Sequence, residues 1–198
     1  MRWSRIEVYP SFVLLVCLLI FLDTGTTALL FLSSAALHEG GHLFAMRLLG
    51  VTCYGMELRG TGAVIHTGDT SPGKEALCAA AGPAVNLLLL LLTFRLLPAM
   101  ALANFLLLLW NLLPLYPLDG GRLLHLLLAA LFGQTAAGRV TDTVNFLLCI
   151  AVSAAAVLQT CVCHAGLYPC LFAALFLLKC ANTPCKIGRR RLKWKQKK

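Results

Sequence analysis

Residues 33–50 read SSAALHEGGHLFAMRLLG, an apolar run that continues a membrane-spanning helix yet holds His38, Glu39 and His42 within five residues. Ionisable groups in hydrocarbon are expensive and usually functional, so the stretch implies both a membrane helix and a site built on it. On a helix, His38 and His42 are spaced i, i+4 and project from one face about one turn apart, near enough to share a metal ion. Glu39 falls on an adjacent face, too far round to be the natural third ligand but placed to take a proton from a metal-bound water. Gly40 and Gly41 add small side chains that let a neighbouring helix or a peptide backbone approach closely.

The rest of the chain has the composition such a helix needs. Its 198 residues are 59% hydrophobic and 13% charged, and the mean hydropathy is +0.81, far more apolar than a soluble domain of this length. Spanning takes about 20 apolar residues, and uncharged runs recur throughout. Six spans can be drawn, over Tyr9 to Leu22, Thr26 to Leu49, Glu75 to Leu97, Met100 to Leu113 with a continuation beyond Gly120, Thr141 to Gln159, and Gly166 to Cys180. The first is short but is no secretory signal, because no A-x-A-like cleavage site follows it. The expected architecture is an all-α polytopic membrane domain over residues 1–185, with a basic tail over 186–198.

The net charge of +9 does not point to nucleic acid, because nine of the seventeen Lys and Arg residues lie between Lys179 and Lys198. A juxtamembrane tail of this kind sets topology and touches anionic lipid. With both termini cytoplasmic, the loops carrying Arg47, Arg59, Lys74, Arg122 and Arg139 also face the cytoplasm, and only Arg95 falls near the opposite surface. His42 then lies about seven residues, or roughly 10 Å, from the cytoplasmic end of its helix, so a metal there is reached from that side. Of nine cysteines, Cys17, Cys78, Cys149 and Cys180 sit in apolar runs and behave as small hydrophobes. Cys161, Cys163, His164 and Cys170 are compact but lack a paired C-x-x-C arrangement, and read as a loop.

Two stretches break the helical pattern. VTCYGMELRGTGAVIHTGDTSPG, residues 51–73, is rich in Gly, Thr and Val, with turn signals at Arg59 to Gly62 and Ser71 to Gly73. It reads as a short β-hairpin or re-entrant loop. In NLLPLYPLDGGRLLH, residues 111–125, Pro114, Pro117, Gly120 and Gly121 interrupt one continuous helix and leave Asp119 on an unwound turn between apolar segments.

A catalytic zinc takes three protein ligands and an open fourth position. Glu57, Asp69 and His66 lie in or near the hairpin, Glu75 and Asp142 near helix starts, His125 beyond a span and His164 outside. Asp119 is the best third ligand, since it alone occupies a broken segment at membrane depth. Its alternative role is to cap the helix that follows.

H-E-x-x-H on an apolar helix followed by N-x-x-P-x-x-P-L-D-G-G resembles the two signatures of the site-2 protease family of intramembrane zinc metalloproteases, the second in the form of the bacterial stage IV sporulation protein FB branch. The second signature falls on Asn111, Pro114, Pro117, Leu118, Asp119, Gly120 and Gly121. AAGPAVN, Ala80 to Asn86, is similar to the family's G-P-x-x-N segment. The resemblance covers about residues 29–128, implying a three-helix catalytic core there. It implies one zinc per chain, held by His38, His42 and Asp119, with Glu39 as the base. It further implies that Asn86 lines the site and that the hairpin, with Gly60, Thr61 and Gly62 at its turn, pairs with an unwound substrate by strand addition, while Asn111 belongs to the substrate-facing signature. Relatives of the sporulation type generally add a cytoplasmic CBS domain, where this chain has the basic tail.

The activity expected is endoproteolysis of a transmembrane or membrane-associated protein, such as a pro-sigma or anti-sigma factor or a remnant signal peptide. Partners are that substrate and the bilayer, with room for regulatory membrane proteins or a homo-oligomer, and no nucleic acid. The rival reading is a metal-ion transporter or channel using the same His, Glu and Asp residues, but the chain lacks an inverted repeat of broken helices and a transit site needs no glutamate between two histidines.

Overall fold

The Gly-rich interruption after the second helix folds as the hairpin its sequence predicts, and a third strand joins it. In the computed structural model, which describes residues 6–22, 26–60, 62–116, 118–162, 173, 174 and 177, β1 (Ile6–Val8), β2 (Cys53–Arg59) and β3 (Gly62–Thr67) form one sheet in the order β1-β2-β3. β2 and β3 are antiparallel, pairing Met56 with Ile65 and Arg59 with Gly62. Gly62 takes a φ of 118° at the turn, which a side chain would resist. β1 pairs with β2 in parallel, Ile6 opposite Met56 and Val8 opposite Leu58. The expected helical domain with a short hairpin thus gains a third strand, in residues ahead of the first expected span. A three-residue strand is too short to show alternation in the sequence, and its partner lies some fifty residues away.

The chain divides into two units, Met1–Leu113 and Pro114–Lys198. The first contains the sheet and four helices: α1 (Pro10–Leu22), α2 (Thr27–Leu48), α3 (Pro72–Thr93) and α4 (Pro98–Asn111). α2, α3 and α4 pack against one another, and α1 touches β2 and α2 only lightly. Pro72 and Pro98 stand in the first turns of their helices, where a missing N–H costs nothing. The close packing of α2 on α3 depends on Gly41, where a Cβ would come within 2.9 Å of the Ala81 carbonyl oxygen and 2.7 Å of Val85 Cγ2. Gly40 faces open space instead. The sheet is fastened below these helices by Ile65, which packs on a buried cluster of Met46, Val51 and Cys78.

The second unit contains α5 (Asp119–Phe132) and α6 (Gln134–Val162), which pack against each other. The interruption expected in residues 111–125 separates α4 from α5. Gly121 is required by packing within this unit, because a Cβ there would run into the Leu115 carbonyl and the Tyr116 nitrogen. Asn145 on α6 steadies the same turn by accepting from the Tyr116 N–H at 2.8 Å. α6 begins at Gln134 rather than near Thr141, since its first turns are too polar for a hydropathy reading to include them.

Among the described residues, two helices, α3 and all but the last residue of α6, are long and apolar enough to cross a membrane. α1 and α4 are apolar but shorter. α2 has the length, 22 residues, and the polar load of His38, Glu39 and His42 lowers its hydropathy. The distribution of side chains favours lipid: Ser34, Asn86 and Asn104 are wholly buried, while Phe21, Leu91 and Leu96 are 85, 69 and 81% exposed. Water would reward the opposite arrangement. The expected sixth span at Gly166 to Cys180, Thr61, Pro117, the cluster at Cys163, His164 and Cys170, and the basic tail lie outside the described residues.

Candidate active site

Helix α2 places Ser34, His38 and His42 one turn apart on its buried face. The two imidazoles meet edge to face, with their centroids 4.8 Å apart and their Nε2 atoms 3.2 Å apart. Helix α3 supports both rings. His42 Nδ1 lies 2.7 Å from the carbonyl oxygen of Cys78; a carbonyl can only accept, so Nδ1 carries the proton and the neutral ring keeps a lone pair on Nε2. Asn86 Nδ2 lies 3.0 Å from His38 Nδ1. An amide nitrogen donates, so His38 Nδ1 accepts and the proton of this ring sits on Nε2, where it donates to His42 Nε2.

The space for the two rings comes from Gly82 on α3. A Cβ there would lie 2.7 Å from His38 Cε1 and closer still to His42 Nε2. A glycine inside a helix forfeits roughly 0.5–1 kcal/mol relative to alanine. Here it makes a cradle that any side chain would fill. Pro83 follows it inside the helix.

Glu39 is half-buried beside the pair, on the neighbouring face of α2. Ser34, one turn before His38, accepts at 3.0 Å from Asn104 Nδ2 of α4, which also donates to its own Met100 carbonyl at 2.9 Å. The polar face of α2 therefore meets polar partners from both packed helices.

In the second unit Asp119 is the first residue of α5 and is buried. The N-cap position belongs to Leu118, so Asp119 is not the residue at which the helix is capped. Its carboxylate stands in the first turn, at the positive end of the α5 dipole.

The other predicted residues are distributed around the first unit. Gly60 lies at the hairpin turn against α1, its N–H donating to Ser11 Oγ at 3.1 Å, and a Cβ there would come within 2.7 Å of the Ser11 carbonyl oxygen. Gly62 begins β3 and is exposed. Asn111 ends α4 with its amide nitrogen donating back to Leu107 O at 3.0 Å.

Of the rejected ligands, Glu57 and His66 are engaged with each other at 2.9 Å, and Arg59 Nη2 adds a contact of 2.6 Å to Glu57. His125 is buried against Thr141 at 3.3 Å. The sequence reading missed Gly82, the Cys78 carbonyl and the Ser34–Asn104 pair. Gly82 stands in a stretch already singled out and Asn104 is an amide in an apolar run, whereas no side chain signals a carbonyl's role.

The model of Peptidase family M50 matches residues 93–155, which include Asn111 and Asp119. The fold is similar to that of "Site-2 Protease from Methanocaldococcus jannaschii", with a TM-score of 0.70 and 21% sequence identity over 94% of this chain and 93% of that one. Comparison with curated protein sequences finds no match. The chain thus shares one segment with Peptidase family M50 and its fold with that site-2 protease.

Proposed function

We propose that the chain is an intramembrane zinc endopeptidase in which His38, His42 and Asp119 hold the metal and Glu39 is the catalytic base. The observation that carries this reading is the histidine pair, with Nε2 atoms 3.2 Å apart and His42 locked by the Cys78 carbonyl. Two imidazoles and a carboxylate, all buried, are a donor set that suits zinc. The Gly82 cradle is a second sign that the rings are placed for a purpose.

A zinc ion held there would polarise a scissile carbonyl and lower the pKa of water to about 7. The protein supplies the rest. Glu39, next to His38 and off the ligand face, accepts the proton of the attacking water and returns it to the leaving amine. Asn86 offers an amide donor to the substrate beside His38. A helical substrate hides its carbonyls in its own hydrogen bonds, so it must unwind, and an extended segment can then add to β3 at the edge of the sheet. Gly60, Thr61 and Gly62 at the hairpin turn, and Asn111, contribute the remaining substrate contacts. β3 reaches the site through Ile65, which packs on the cluster of Met46, Val51 and Cys78, and the Cys78 carbonyl holds His42.

In this reading residues 1–185 form one multi-pass catalytic domain whose core is about 29–128, both termini are cytoplasmic and the metal is reached from that side. The substrate is a membrane-anchored or membrane-associated protein. A pro-sigma or anti-sigma factor lies within that class, as the likeness to the sporulation branch suggests.

The test uses the full chain, co-expressed with a membrane-anchored reporter substrate and then purified for metal analysis. Glu39→Gln should keep one zinc per chain and abolish cleavage, and undiminished cleavage removes Glu39 from the mechanism. Asp119→Ala should lower bound zinc, and a full equivalent after that change places the third ligand elsewhere. Zinc uptake into liposomes without any cleavage would instead favour a transporter.

A further inference from the structure

We propose that Asn86 sets the tautomer of His38 for the metal by turning its side-chain amide, so that Oδ1 accepts the Nδ1 proton in the metal-holding protein. This inference rests on the reading that His38 and His42 are metal ligands.

The two histidines are unequal as they stand. His42 is ready for a metal, its Nδ1 proton spent on the Cys78 carbonyl at 2.7 Å and its Nε2 carrying a lone pair. His38 is not ready. Asn86 Nδ2 donates to its Nδ1 at 3.0 Å, which leaves the ring proton on Nε2, directed at His42 Nε2 3.2 Å away. That proton occupies the line along which two lone pairs would converge on one cation.

For His38 to bind through Nε2, a proton must leave Nε2 and one must be taken up at Nδ1, with no net change on the ring. The protonated Nδ1 would then face the N–H of Asn86, donor against donor. A half-turn of the amide removes the conflict, because it exchanges Nδ2 and Oδ1 within nearly the same outline. Asn86 is wholly buried, and among the described residues its Oδ1 has no hydrogen-bond partner. The turn therefore gives a partner to an acceptor that has none, which a buried amide seldom lacks.

The two histidines would then be held alike, His42 by a backbone carbonyl and His38 by an amide carbonyl, each accepting from Nδ1. After the turn Nδ2 stands where Oδ1 stood, in a buried position. Asn86 is thus a positioning residue for the metal as well as a neighbour of the substrate.

The test measures zinc affinity of the full chain in detergent by competition with a chromophoric chelator. Asn86→Leu keeps the size and removes the acceptor, and should weaken zinc binding about 10–100-fold. Asn86→Asp presents an acceptor in either orientation and should bind zinc at least as tightly as the wild type. Wild-type affinity in Asn86→Leu overturns the proposal, and so does an equal loss in both variants, which would mark Asn86 as packing alone. If the wild type itself binds no zinc, the metal reading fails, and the proposal falls with it. A second measurement does not depend on the Leu variant folding. In the metal-free protein labelled with ¹⁵N-histidine, His38 should carry its proton on Nε2 in the wild type and on Nδ1 in Asn86→Asp. The same protonated nitrogen in both overturns the proposal.

Discussion

His42 donates its Nδ1 proton to the carbonyl oxygen of Cys78 across 2.7 Å, joining α2 to α3 at a point no side-chain pattern marks. The same stretch of α3 supplies Gly82, whose missing Cβ makes room for both imidazoles. Ring orientation and ring space therefore both come from one helix that carries no metal ligand.

Gly82→Ala should remove bound zinc and cleavage while the helices stay folded. A helical Gly→Ala change ordinarily stabilises by roughly 0.5–1 kcal/mol, so loss of zinc at unchanged or raised stability would identify the cradle as the cause. Metal analysis and circular dichroism on the purified variant check it, and full zinc occupancy would show that the rings have other room.

Gly41 and Gly40 should part company when each is replaced by alanine. At Gly41 the new methyl meets backbone at Ala81, which cannot move cheaply, and a loss of about 1–3 kcal/mol is expected for such overpacking. At Gly40 nothing lies within 4 Å, and stability should hold or rise. Thermal unfolding in detergent compares the two, and equal effects would mean that α2 and α3 do not rely on this contact.

Ser34 and Asn104 should show an energetic coupling. Their bond of 3.0 Å is wholly buried between α2 and α4, and such bonds within a membrane are worth on average about 0.6 kcal/mol, and at most roughly 1.7. A double-mutant cycle of Ser34→Ala and Asn104→Ala measures it. A coupling of zero would leave the pair a neighbour contact without energy.

The sheet should weaken in acid. Burial opposes ionisation of Glu57, but the hydrogen bonds from His66 and Arg59 and their charges outweigh it and hold the carboxyl below its ordinary value. A carboxyl with a lowered folded-state pKa stabilises at pH above the ordinary carboxylate range, and that contribution is lost as pH falls through it. Protection factors of the β2 and β3 amides, with the intrinsic pH dependence of exchange divided out, should therefore fall below that range in the wild type and change little in Glu57→Gln. Identical pH profiles would exclude Glu57 as the source.

Much of this was legible in the chain itself because the relevant signals are local. His38 and His42 share a face as soon as the segment is helical, since i and i+4 positions stack on any α-helix. Pro114 and Gly120 break a helix wherever they occur, and Gly60 and Gly62 mark a turn by their backbone freedom. The strand Ile6–Val8 was not legible, because three residues hold too little pattern and their pairing is with a distant partner. The helical start of α6 lies outside the expected span for a related reason: Gln134 to Arg139 hold only two alanines among polar residues and glycine, too little to extend a hydropathy signal.

Residue types and spacing alone establish an apolar chain with two imidazoles, a carboxylate between them and a second carboxylate on a broken segment. Those properties belong to residue types and short spacings, which survive without knowledge of the fold. Packing of the helices added what spacing could not: that His42 Nδ1 faces the Cys78 carbonyl and His38 Nδ1 the Asn86 amide, that Gly82 makes the space for both rings, and that Ser34 meets Asn104. Each of these depends on atoms brought within about 3 Å from different helices, and contacts of that range are set by packing, not by sequence separation.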